Sequence, residues 1–68
     1  MKTYSCYFID RSFRVLTHEN VHCPDDSAAV SAASVMLSRR TCAGFEVWER
    51  GRCVAQVLRN PETGSVAV

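Results

Sequence analysis

The aromatic and β-branched residues gathered between Thr3 and Asp10 predict a β-strand. Tyr4, Cys6 and Phe8 share one side, and Ser5, Tyr7 and Ile9 share the other. Asp10-Arg11-Ser12 supplies a turn, with Asp10 placed to accept hydrogen bonds from the backbone ahead of it. Phe13 to Leu16 returns as a second strand, and Val21-His22-Cys23 extends it beyond an irregular Thr17-His18-Glu19-Asn20 segment. The period then changes. After Pro24, either Asp25 or Asp26 can cap a helix, and both suit its positive end. Ala29, Val30, Ala33, Met36 and Leu37 recur at helical spacing over roughly 26–39 and form a buried stripe. Its alanines let the helix lie close to a sheet.

Beyond Gly44 the two-residue period resumes. Phe45, Val47, Cys53, Ala55 and Val57 are expected on one face, with Trp48, Val54 and Leu58 on the other. Glu49-Arg50-Gly51 fits a three-residue hairpin loop with Gly51 at a G1 bulge. That loop sets Trp48 opposite Arg52, Val47 opposite Cys53 and Phe45 opposite Ala55. A two-residue Arg50-Gly51 turn would set Phe45 against Gln56, so the bulged loop is preferred.

These patterns predict one α+β domain over 1–60 and a loose C-terminal tail over 61–68. The domain is a four-stranded, mostly antiparallel sheet made of two β-hairpins (ββαββ), with one helix packed on one face. A chain of 68 residues buries a marginal core by itself, and small domains are often completed by association. The apolar surplus on the second face, Trp48, Val54 and Leu58 joined by Tyr7 and Ile9 or by the Tyr4 set, points to a partner there.

Composition excludes more than it assigns. The formal net charge of +1 carries no strong argument for nucleic acid or membrane. No apolar run is long enough to span a bilayer, and Cys6-Tyr7-Phe8-Ile9 is too short for a leader peptide. A cytoplasmic protein with reduced thiols is therefore expected.

Val21-x-Cys23-x-Asp25-Asp26-x-Ala28-Ala29, then Phe45-Glu46-Val47-Trp48 with Arg52-x-Val54-Ala55, carry a resemblance over nearly the whole chain. The sequence resembles a group of short uncharacterised proteins of Rhizobiales and related alphaproteobacteria. That resemblance implies a hairpin, a helix opened by an Asp-Asp cap, and a second hairpin. The chain departs from the group's pattern at Cys6, Cys42 and Cys53, and in having Gly51 where an acidic residue is common. The resemblance implies no activity and brings no site residues.

Candidate chemistry is sparse. His18, His22 and Cys23 are suitable zinc ligands by type, but in an extended segment the two imidazoles lie about 13 Å apart. Cys53 follows Arg52 and Cys23 lies near the helix start, where a thiolate would be stabilised, yet Asp25 and Asp26 oppose one there. Burial as small hydrophobes is the favoured reading of the cysteines. Trp48, Arg50 and Arg52 form a candidate nucleic-acid platform, with Arg39, Arg40 and Arg59 as extensions. The plainer reading lays Arg52 over the Trp48 ring. Asn60-Pro61-Glu62-Thr63-Gly64 reads as a turn, and Val66-Ala67-Val68 has the type of a PDZ-like ligand end.

The expectation is a small cytoplasmic protein-interaction module that needs no cofactor or metal. It docks as a homodimer or on an unidentified protein partner, using Trp48, Val54, Leu58, Arg50 and Arg52. Nucleic-acid binding at the second hairpin tip is the alternative, followed by metal or thiol-redox chemistry. No membrane partner is expected. An enzyme is not expected either, because no nucleophile–base pair, spaced carboxylates or phosphate-binding loop is readable.

Overall fold

A computed structural model describes residues 1–59. The elements are β1 (Lys2–Ile9), β2 (Val15–Cys23), α1 (Asp26–Ser38), β3 (Gly44–Glu49) and β4 (Arg52–Leu58). All pairings are antiparallel in one sheet of order β2-β1-β3-β4, so the α+β, ββαββ architecture is established. The tail, and with it the Asn60–Gly64 turn and the Val66–Val68 end, lies outside the described residues.

The helix begins where the sequence places it. Asp25 is the N-cap, and its side chain accepts from the Ala28 amide at 2.9 Å, satisfying a first-turn N–H that has no partner inside the helix. Ala29, Ala33 and Leu37 are buried, with Val30 and Met36 packed at the margin. They cover Tyr4, Cys6, Phe8, Phe45 and Val47, the buried inner face of the two central strands. Phe8 and Phe45 are paired across β1 and β3 and meet edge to face at 6.4 Å. Burying each ring contributes about 1.5–3 kcal/mol.

Three expectations are corrected. Thr17–Asn20 is regular strand, and the irregularity lies at Leu16, between the Phe8–Thr17 and Ile9–Val15 pairs. Phe13 is not in a strand; it sits in the Asp10–Arg14 loop with φ 64°. The second hairpin has a two-residue turn, with positive φ at both Arg50 (53°) and Gly51 (77°), and Glu49 pairs with Arg52. A bulge at Val54 then restores the phase, so Trp48 faces Cys53, Val47 faces Ala55 and Phe45 faces Val57. The turn is thus the two-residue Arg50-Gly51 form and not the expected three-residue loop, and the bulge falls at Val54, three residues beyond Gly51. The extra residue turns Cys53 away from the helix and Val54 toward the core.

Gly44 is required by contact. A Cβ there would run into the Val57 carbonyl oxygen and the Leu58 backbone, neither of which can swing aside.

Candidate functional site

Among the described residues one helix covers one face of the sheet, and the register composes the other face, uncovered by the helix, row by row. His22 stands beside Thr3; Asn20, Ser5, Trp48 and Cys53 form the next row; His18, Tyr7, Glu46 and Gln56 follow; Val15, Ile9, Gly44 and Leu58 complete the face. The first three rows are polar and largely bonded to one another. Thr3 Oγ1 lies 3.1 Å from His22 Nδ1, and Ser5 Oγ donates to Asn20 Oδ1 at 3.3 Å. Asn20 Oδ1 also meets His18 Nε2 at 3.1 Å, while the His18 ring stacks on Tyr7 at 5.0 Å. Glu46 accepts from Trp48 Nε1 at 2.9 Å and from Gln56 Nε2 at 2.6 Å.

This face is therefore not the apolar surface expected from Trp48, Val54, Leu58, Tyr7 and Ile9. Trp48 is half-buried with its N–H satisfied, and Val54 packs against the core. Ile9 is fully buried. Of the large apolar residues that face solvent, Phe13 (50% exposed), Val15 and Leu16 (56%) and Leu58 (39%) lie at one end of the sheet, while Met1 is at the other end, Val35 on the helix and Val57 on the helix side of β4. Sequence reasoning missed Phe13, Val15 and Leu16 as surface residues. The signal was the absence of a helical partner for that row, which needs the long-range pairings of Ile9 with Gly44 and Gly44 with Leu58.

The expected partner-binding residues do not form one patch. Arg50 stands exposed at the turn and approaches Glu49 only at 3.9 Å. Arg52 is on the helix side, opposite Trp48, and does not lie over that ring. It grips both carboxylate oxygens of Asp26 at 3.0 Å and reaches Glu49 at 2.9 Å. Tyr4 also donates to Asp26, at 2.8 Å. The Arg52 bonds, followed by that of Tyr4, hold the Asp26 carboxyl down at about 2. Burial, reinforced by the Asp26 charge, pushes the Tyr4 phenol up to about 12. The cation over an aromatic ring is Arg40, 4.5 Å from the Phe8 centroid and bonded to Glu19 at 3.0 Å.

His18 and His22 stand on the uncovered face, whereas Cys23 is buried toward the helix, so the three candidate ligands are not brought together. Among the described residues no cluster of three or more His, Cys, Asp or Glu side chains is placed to hold a metal. Cys6 and Cys23 are buried, as the small-hydrophobe reading expects, but Cys53 is exposed on an edge strand. Burial raises the Cys6 thiol above the usual range. No helix among the described residues is long and apolar enough to cross a membrane.

No family model, no curated protein and no solved structure matches this chain.

Proposed function

We propose that the chain is a small protein-interaction module, not an enzyme, that works in the cytoplasm through the apolar end of its sheet. The observation that carries this reading is the gathering of Phe13, Val15, Leu16 and Leu58, all large and all exposed, around one end. Val15 and Leu58 stand at opposite edges with the buried Ile9 and Gly44 between them, so the exposed apolar surface is densest at Phe13, Val15 and Leu16. A local group of this kind marks interaction sites more often than scattered single residues do. The ββαββ layout is also compatible with kinship to the short alphaproteobacterial proteins, which we keep as part of the proposal.

Site-specific photo-crosslinking in cells tests it. A photoreactive residue at Leu16 or Leu58 is expected to give a heavier adduct, and one at exposed Ser34 on the helix is expected to give none. Absence of adducts from every position would remove the reading.

Self-association is the second reading, supported by the outer edge of β2, nine residues long and unpaired among the described residues. Light scattering in reducing buffer is then expected to show a dimer, and a 7.6 kDa particle at several hundred micromolar counts against it. Nucleic-acid binding through Trp48, Arg50 and Arg52 has less support. Arg52 is engaged with two carboxylates, and the uncovered face around Trp48 carries no Lys or Arg.

A further inference from the structure

The apolar end of the sheet is also its basic end. Arg11 Nη1 donates to the Arg59 carbonyl at 3.1 Å, joining the Asp10–Arg14 loop to the end of β4. The Arg59 guanidinium in turn donates to the carbonyls of Leu37 and Arg40, which brings the last turn of the helix to the same place. Arg11, Arg14, Arg39, Arg40 and Arg59 thus surround this end, against three acids, Asp10, Glu19 and Glu46. Five against three leaves an excess of two positive charges. Glu62 is the one acid in residues 60–68, so the excess stays positive wherever that segment lies. At the opposite end Lys2, Arg50 and Arg52 are matched by Asp25, Asp26 and Glu49.

Phe13 lies between Arg11 and Arg14 in the loop, in a backbone conformation that costs a bulky residue about 1–2 kcal/mol and that glycine would adopt freely. Neither local geometry nor core packing calls for a phenylalanine there, since the ring is half in solvent.

We propose that this end is a docking surface for an acidic segment of another protein, with apolar anchors set among its carboxylates. The inference rests on the interaction-module reading and names the partner's chemistry. Carboxylates suit the arginines, which bind them as planar forks. A second copy docked end to end would bring the same positive excess against itself, and like-charge juxtaposition is costly. Phosphates of a nucleic acid would satisfy the arginines but leave Val15, Leu16 and Leu58 without an apolar counterpart.

Fluorescence anisotropy with the full chain tests the proposal. The probes are a short labelled peptide alternating glutamate with leucine and phenylalanine, and a version with lysine for every glutamate. The acidic peptide is expected to bind and the lysine version not to. Binding should weaken about tenfold on raising salt from about 0.05 M to about 0.5 M, as screened charge pairs do. Leu16→Ser, and separately Arg14→Glu with Arg39→Glu, should each weaken it about tenfold with an unchanged circular dichroism spectrum. Arg50→Glu, at the opposite end, should not.

Equal binding of the two peptides, or none at several hundred micromolar, overturns the acidic assignment. Binding to phosphatidylserine vesicles that Leu16→Ser abolishes, without peptide binding, also overturns it and assigns the surface to lipid. If the peptides fail while crosslinks still form at Leu16 or Leu58, the acidic partner is wrong and the module survives. If no position crosslinks, the module falls with it.

Discussion

Tyr4, fully buried on the first strand, donates its phenolic hydrogen to Asp26, the first residue of the helix, at 2.8 Å. Asp26 is also clasped by Arg52 from the fourth strand, so one carboxylate ties the start of the helix to both hairpins.

Stability is expected to fall at both pH extremes through this pair. Asp26 goes from 3.8 when unfolded to about 2 when folded. Its contribution is complete above 3.8 and is lost as pH falls toward 2. Tyr4 goes from 10.0 to about 12, so its contribution is complete below 10 and is lost as pH rises through 12. Urea melts across pH should show both losses. Asp26→Asn should flatten the acid limb and Tyr4→Phe the alkaline one; an unchanged acid limb in Asp26→Asn would exclude this origin.

Gly44→Ala should destabilise the fold by about 1–3 kcal/mol or more, as overpacking against fixed backbone does. The added methyl meets the β4 main chain, which cannot move without disturbing the Gly44–Leu58 and Phe45–Val57 pairs. A chemical denaturation midpoint equal to that of the parent would show that β4 yields freely there.

Arg50→Asn should stabilise by roughly 0.5–1 kcal/mol, because asparagine tolerates positive φ and Asn-Gly is a preferred two-residue hairpin turn. Little is lost, since the Arg50–Glu49 approach is exposed and long. Thermal melts decide it, and a lowered Tm would argue for the three-residue loop instead.

Thiol accessibility offers an independent check on the Val54 bulge. Cys53 should alkylate first, half-buried Cys42 next, and Cys6 and Cys23 only on unfolding. Mass spectrometry of a timed iodoacetamide reaction gives the order. Protection of Cys53 in a demonstrated monomer would mean that the strand keeps its simple alternation and faces the helix.

The helix and central strands were legible in the sequence because their determinants are local. Asp25 caps three residues ahead, and Tyr4, Cys6 and Phe8 repeat with the strand period. Thr17–Asn20 was not legible, since an edge strand under an uncovered face has polar residues on both sides; Glu19 meets Arg40 and His18 meets Tyr7. Val54 and Cys53 exchanged roles because the extra residue sits at Val54 and not at Gly51, so only these two change sides while Ala55 and Val57 keep the expected face. The candidate surface was hidden for a different reason. Val15 and Leu58 sit at opposite edges of the sheet, and only the strand order places them in one row.

The β2-β1-β3-β4 order also has a consequence for the folding rate. Each hairpin closes a short loop and can form within microseconds. The central ladder is different: even its nearest pair, Ile9 with Gly44, encloses the second strand and the whole helix. Chain closure of that length is expected to make β1–β3 docking the slow step. Phe45→Leu, at the contact with Phe8, should therefore slow folding in stopped-flow urea experiments more than it speeds unfolding. The opposite partition would put the docking after the barrier. Until that step is complete, the hydrogen-bonding edges of both inner strands are open to other unfinished chains. A variant that delays it lengthens the time available for aggregation even when its final fold is intact.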